Sequence, residues 1–203
     1  MRLHAWPTSP YARKVLAMAV ETGLREKIAL IRTNPGEPDS PIGELNPIGK
    51  IPTLITDEGE ALYDSGVICE YLDTLHDGPK MFPPKGPERW QALRWAAMGN
   101  GILDAAVLRT YERRRPEGER SPDWDARQKE RVFRILDRLE KDEIKKFGKG
   151  MNIGLITIAC ALGYLDLRFP EEKWRLSRQG IGMWFFTFGK QPLMAYTEPV
   201  EAI

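Results

Sequence analysis

Asn46-Pro47-Ile48-Gly49-Lys50-Ile51-Pro52-Thr53-Leu54 is the stretch on which the fold turns. Pro47 and Gly49 break any regular element, and the apolar run that follows begins on Pro52, where a strand tolerates a missing N–H. An X-Pro bond at such a bend is a candidate for the cis form. A cis bond there would turn the backbone of Ile51 outward and leave its N–H and C=O to pair with another peptide group. Lys50 is a fixed cation beside the strand. The plainer reading of the same residues is a loop carrying a solvated lysine.

Downstream, residues 51–56 and 60–63 read as two short strands separated by Asp57-Glu58-Gly59, a hairpin signal. Residues 65–75 follow as a helix with Val67, Ile68, Tyr71, Leu72 and Leu75 on its apolar side. Upstream, residues 2–6 are a strand and Pro7 and Pro10 bracket a turn. Residues 11–22 show helical spacing, with Tyr11, Val15, Met18 and Ala19 on one face and Gly23 as a stop. Residues 27–32 make the next strand, and a Pro- and Gly-rich loop covers 34–43. The order β-α-β-(α)-β-β-α predicts a four-stranded mixed sheet with helices packed on it.

Residues 77–87 hold four prolines and two glycines and read as a linker. Beyond it the pattern is helical, over 88–115, 123–144, 153–169 and 178–189, with an irregular tail after Pro192. Val132, Ile135, Leu136 and Leu139 make one stripe of an amphipathic surface helix. The 153–169 segment is apolar nearly all round, as expected of a buried central helix. Asn152 can cap it, although Leu155 stands where the acidic half of a capping box would be. The expected organisation is a first α/β domain over 1–76, a linker over 77–87 and an all-helical domain over 88–203.

Thirty Lys and Arg against 29 Asp and Glu give a net charge of +1, so charge offers no reason to expect nucleic acid as the main ligand. The apolar run 153–165 is too short to span a bilayer, which needs about 20 residues. The opening MRLHAWPTSP has no long apolar core of a secretory signal, and a cytoplasmic protein is expected. Cys69 and Cys160 stand far apart in helical patterns and read as buried free thiols. His4 and His76 have no partners at ligand spacing, so no metal site is expected.

Three segments carry chemistry. In Thr8-Ser9-Pro10-Tyr11, Ser followed by Pro is a helix-start signature, Ser capping and Pro filling the first position. The same geometry suits an anion, because a helix N-terminus offers free N–H groups and the positive end of a dipole. A hydroxyl there can donate to a thiolate and hold it ionised. The second segment is the Lys50-Ile51-Pro52 bend. The third is Asp64-Ser65, before another helix, where Ser65 and the N–H groups behind it can hold a carboxylate and Asp64 can accept from an ammonium. Simple capping is the alternative reading of this pair.

In this order and on this topology, the three segments resemble the glutathione transferase superfamily over essentially the whole chain. The similarity is greatest to bacterial members that use serine in the first turn. The resemblance implies a thioredoxin-like domain followed by a helical domain. It also implies that Pro52 is a cis-proline, that Ile51 pairs with the cysteinyl backbone of glutathione and that Lys50 faces the glycyl carboxylate. Asp64 and Ser65 would hold the γ-glutamyl end. A homodimer is implied as well, with Asp104 reaching the γ-glutamyl ammonium across the interface. Glutaredoxins share the fold but carry Cys-Pro-Tyr-Cys where this chain has Ser9-Pro10-Tyr11-Ala12, so dithiol exchange on the protein is excluded.

The implied activity is attack of glutathione, as co-substrate, on a small electrophile. Ser9 would hold the thiolate, with Thr8 as a second hydroxyl. The electrophile is expected between the Ser9 turn, including Tyr11, and the helix over 88–115, where Asn100, Asp104, Val107 and Tyr111 recur at helical spacing. No metal, nucleic acid or membrane partner is expected. Two alternatives share these residues: a glutathione-dependent peroxidase or dehalogenase, and a non-catalytic glutathione-binding interaction protein.

Overall fold

The structure is a computed structural model describing residues 1–148 and 150–199. Residue 149 and the last four positions of the expected 88–203 domain lie outside the described residues. The chain forms two compact units. The first is Met1–Pro84 together with the segment from Gln191, and the second is Lys85–Lys190.

The first unit is the expected α/β domain. Its strands are β1 (Arg2–Ala5), β2 (Ala29–Arg32), β3 (Thr53–Ile55) and β4 (Ala61–Leu62), in the order β2-β1-β3-β4. β1 runs parallel to β2 and antiparallel to β3, and β3 is antiparallel to β4. Leu3 lies opposite Leu30 on one side and Leu54 on the other, and both Leu3 and Leu54 are fully buried. α1 (Pro10–Glu21) and α3 (Ser65–Thr74) pack together, and the short α2 (Ile42–Leu45) leads into the 46–52 bend. Val15, Met18 and Ala19 of α1 are buried as expected, whereas Tyr11 is only half-buried.

On α3 the buried stripe runs Ser65, Ile68, Cys69, Leu72 and Asp73, one step round from the expected face, leaving Val67 and Leu75 exposed. Asp73 explains the rotation. Its carboxylate accepts from the backbone N–H of Met81 (2.8 Å) and Phe82 (2.9 Å), so burying it ties down the proline-rich segment. Met81 and Phe82 are buried with it, and the segment expected to be a bare linker is anchored to the first unit.

The second unit is helical: α4 (Gly86–Arg114), α5 (Pro122–Arg138), α6 (Ile153–Arg168) and α7 (Gln179–Phe188). α6 is buried along most of its length, and Asn152 caps it by accepting from Leu155 N–H (3.2 Å). α4 and α6 touch closely at two glycines. A Cβ on Gly154 would lie 2.6 Å from the Ala92 carbonyl oxygen, and one on Gly99 2.9 Å from the Ile158 nitrogen. The helix expected over 123–144 ends instead at Arg138 and continues as a π turn, Leu139–Glu143. Carboxylate contacts, half-buried at Glu140 and buried at Glu143, accompany the irregular turn. Glu140 accepts from the N–H groups of Gly180 (2.9 Å) and Ile181 (2.8 Å) at the start of α7, and Glu143 accepts from Trp95 Nε1 (2.9 Å) and Arg94 (2.8 Å). Among the described residues no single helix is long and apolar enough to cross a membrane.

The tail after Pro192 is not irregular. Pro192–Tyr196 forms α8, which packs on α1 within the first unit, so the helical domain does not run on to the C-terminus as expected. Buried Arg13 makes the join, donating to the Met194 carbonyl (3.2 Å) and Thr197 Oγ1 (3.4 Å).

Candidate functional site

Strand pairing brings the three chemical segments to one edge of the sheet. Thr8 and Ser9 follow the end of β1. Because β3 is antiparallel to β1, with His4 opposite Thr53, the 46–52 bend enters at that same end. Because β4 is antiparallel to β3, with Leu62 opposite Leu54, β4 also leaves there and delivers Asp64 and Ser65. Ser9, Lys50-Ile51-Pro52 and Asp64-Ser65 are therefore neighbours by topology, although 55 positions separate Ser9 from Asp64.

Ser9 is the N-cap of α1, with φ −74° and ψ 118°, and Pro10 takes the first helical position. Its Oγ accepts from Ala12 N–H at 3.2 Å, and its own N–H donates to the Trp6 carbonyl at 2.9 Å. A hydroxyl has two acceptor lone pairs and one proton, so capping uses an acceptor site and leaves the proton for another partner. The two readings of Ser9 are chemically compatible. Asp64 caps α3 in the same manner, Oδ1 accepting from Gly66 N–H at 2.8 Å. Ser65, expected with the N–H groups behind it to hold a carboxylate, is the first helical residue and is buried. Neither α1 nor α3 has an acidic residue in its first turn, and the positive ends of both dipoles point to this edge, that of α1 capped by a neutral hydroxyl and that of α3 by the Asp64 carboxylate.

Lys50 is exposed and Ile51 half-buried. The Ile51–Pro52 bond is cis, as expected, and Tyr63–Asp64 is cis as well. Gly49 turns the chain before Lys50 with φ +68°, a conformation that favours glycine. Beneath the bend lie two residues that the sequence reading did not single out. Asn46 is 1% exposed and Thr53 is fully buried, and their side chains are hydrogen-bonded to each other. The only sequence signal for Asn46 is its place two residues before a loop amide, the spacing of an Asx turn.

His4, one residue before the end of β1, is buried and hydrogen-bonded through Nδ1 to Thr33 Oγ1 at 2.9 Å. Burial, and then the Arg2 charge, push its pKa below the ordinary histidine value.

Asn100, Asp104, Val107 and Tyr111 share one face of α4, at successive offsets of four, three and four residues. Asn100 and Val107 are half-buried and Asp104 and Tyr111 exposed. Asp104 borders an open groove of about 320 Å³ between α4 and α5, with Leu108, Arg131 and Arg134 on its walls. The sequence also did not flag Arg109 on this helix. Its buried guanidinium bridges Asp125 (3.0 Å) and Glu172 (2.6 Å). Among the described residues no cluster of His, Cys, Asp and Glu is arranged to hold a metal ion.

Residues 3–80 match the family "Glutathione S-transferase, N-terminal domain". The uncharacterized GST-like protein YibF of Escherichia coli K12 is 33% identical over 204 residues, covering 100% of both chains. This chain belongs to the glutathione transferase superfamily. A crystal structure of a glutathione transferase family member from Pseudomonas fluorescens Pf-5, with bound glutathione, superposes on this superfamily member with a TM-score of 0.94. The two are 39% identical over 98% of each chain. A glutathione S-transferase from Methylobacillus flagellatus KT, solved with glutathione bound, gives a TM-score of 0.92 at 33% identity over 98% and 99% of the chains. The transferase-type fold, a thioredoxin-like domain followed by a helical part, is thereby established.

Proposed function

We propose that this chain binds glutathione at the sheet edge and activates its thiol for attack on a small electrophile. The observation that carries the reading is the convergence of two helix N-termini, one exposed lysine and one exposed aspartate on a single edge. Glutathione has two carboxylates, one ammonium and one thiol, and the edge has a counterpart for each. Lys50 faces the glycyl carboxylate. The start of α3, with Ser65, takes the γ-glutamyl carboxylate, and Asp64 takes its ammonium. The backbone of Ile51, ahead of cis-Pro52, pairs with the cysteinyl peptide groups. Ser9 then meets the sulfur. The solved relatives that hold glutathione, at 39% and 33% identity, support this assignment.

The chemistry needs only modest stabilisation of the thiolate. A free thiol titrates near pKa 8.5, and lowering that by roughly two units takes about 2.7 kcal/mol. A charge-assisted hydrogen bond from Ser9 supplies about 1.5–3 kcal/mol and the α1 dipole about 0.3–1 kcal/mol. The thiol proton leaves to solvent, and the sulfur lone pair forms a C–S bond. The leaving group departs with the old bonding pair, or the neighbouring carbon takes a proton if the attack is an addition. A further Pseudomonas fluorescens structure contains S-(propanoic acid)-glutathione, a thioether of the kind such an attack produces. Thr8 and Tyr11 beside Ser9, and Asn100, Val107 and Tyr111 on α4, are the proposed electrophile contacts. Asp104 is a proposed ammonium ligand in a cytoplasmic homodimer.

The test is calorimetric titration with glutathione, then turnover on a panel of halo-aromatics, epoxides, enals and hydroperoxides. Binding with conjugation is the expected result. Absence of binding at millimolar glutathione overturns the reading. Binding with turnover of hydroperoxides alone replaces transfer by peroxidase chemistry. Sedimentation at micromolar concentration tests the dimer, which a monomer refutes.

A further inference from the structure

Lys50 and Ile51 sit on a bend whose underside is wired to two buried side chains. Asn46 Nδ2 donates to the Lys50 carbonyl (2.9 Å) and to Thr53 Oγ1 (3.0 Å), and Asn46 Oδ1 accepts from Ile48 N–H (2.9 Å). Thr53 Oγ1 passes its own proton to the same Lys50 carbonyl (3.0 Å). The Asn46 carbonyl accepts from Gly49 N–H (2.8 Å), and Asn46, the C-cap of α2, donates its N–H to the Ile42 carbonyl in the first position of that helix (2.8 Å). Both side chains are buried, so both use their polar atoms inside the protein. The Lys50 carbonyl receives two hydrogen bonds, and Asn46 engages the loop at Ile48, Gly49, Lys50 and Thr53.

The bend could have been closed by turn chemistry alone, since Pro47 and Gly49 already supply it. The additional wiring converges on the peptide unit that joins Lys50 to Ile51. We propose that Asn46 and Thr53 are positioning residues for glutathione: they clamp the Lys50–Ile51 peptide unit before the ligand arrives. The lysine ammonium and the Ile51 backbone then meet the glycyl and cysteinyl groups without ordering a loop. This inference rests on the glutathione reading above and adds two residues that touch no ligand. Pre-organisation of this kind appears in affinity, because an unclamped loop must lose its freedom on binding. It leaves the thiolate untouched, because Ser9 belongs to a different segment.

The test is a set of variants examined by glutathione calorimetry and steady-state kinetics. Thr53→Val removes the hydroxyl at nearly the same shape, and Thr53→Ser retains it. Thr53→Val is expected to weaken glutathione binding about tenfold and to raise KM for glutathione similarly. Turnover at saturating glutathione should stay within about twofold, and the pKa of the bound thiol should not move. Thr53→Ser should restore affinity to within about twofold of wild type. In a Lys50→Ala background the cost of Thr53→Val should shrink at least threefold, because part of what the clamp positions has been removed. Should Thr53→Val fail to fold, Asn46→Ala is expected to show the same pattern. Wild-type affinity in the variants, or an equal cost with and without Lys50, overturns the positioning role while leaving the glutathione site intact. No binding by the wild type itself removes both.

Discussion

Replacing Ser9 separates its two compatible roles. The hydroxyl caps α1 through a 3.2 Å contact with Ala12 N–H, and its proton is the proposed donor to the glutathione thiolate. Ser9→Ala removes both. Losing the cap costs about 0.5–2 kcal/mol of stability. Losing a charge-assisted hydrogen bond costs the thiolate about 1.5–3 kcal/mol, which raises the pKa of bound glutathione by about 1–2 units at 1.36 kcal/mol per unit. The sign follows from which form is stabilised: a donor hydroxyl favours the anion, so the wild-type bound thiol is expected to titrate below about 8.5 and the variant to move back up. Below that pKa the reactive fraction falls tenfold per pH unit, so conjugation near neutral pH should slow by about tenfold or more. Ser9→Gly sharpens the comparison, because glycine at an N-cap costs only a few tenths of a kcal/mol against serine. The two variants should therefore differ in thermal stability and agree in thiol pKa. The assay is thiolate absorbance of the glutathione complex against pH, alongside thermal unfolding. Titration curves that superimpose on wild type, with equal turnover, refute the donor role and leave Ser9 a cap, with Thr8 the next hydroxyl to test.

Lys50→Ala should weaken glutathione binding by about 1–3 kcal/mol in calorimetry, the worth of a charge-assisted hydrogen bond, and unchanged affinity removes Lys50 from the site. Gly154→Ala places a methyl group against the Ala92 carbonyl and Trp95, and should cost about 1–3 kcal/mol in denaturant unfolding through overpacking. Arg109→Ala takes from the buried carboxylate of Glu172 its 2.6 Å partner while leaving Lys129 (3.4 Å) and Arg113 (3.7 Å), and should cost about 1–3 kcal/mol in the same assay. His4 has its folded pKa lowered, chiefly by burial, so its stabilising contribution is complete above its ordinary value near 6.5 and declines as pH falls through that value toward the lower folded one. Unfolding free energies measured from pH 7.5 to 5 should show this decline in wild type and a flatter profile in His4→Gln.

The order of elements in the first unit was legible because each is announced locally: alternating apolar residues for strands, Ser9-Pro10 for the start of α1, a hairpin signal at Asp57-Glu58-Gly59. The cis bond at Pro52 was legible for the same reason. Most helix ends moved by only one or two residues, since capping is decided by the nearest few side chains. The errors came where a distant partner overrules local pattern. The apolar face of α3 was misread because Asp73 is buried to hold Met81 and Phe82. The 123–144 helix was read as continuous because the partners of Glu140 and Glu143 lie about 40 to 49 positions away in the chain. The C-terminal tail looked irregular because what makes α8 worth forming is Arg13, more than 180 residues upstream.

The site divides along the same line. Residue types at Ser9, Lys50 and Asp64 can be read in sequence because helix caps and fixed cations are local features. That they come together was decided by the sheet. Only the antiparallel pairing of β3 with β1, and of β4 with β3, turns three separated segments to a single edge. The pairing of Asn46 with Thr53 also needed the fold, because an asparagine and a threonine seven positions apart carry no pattern until burial requires their polar atoms to be paired.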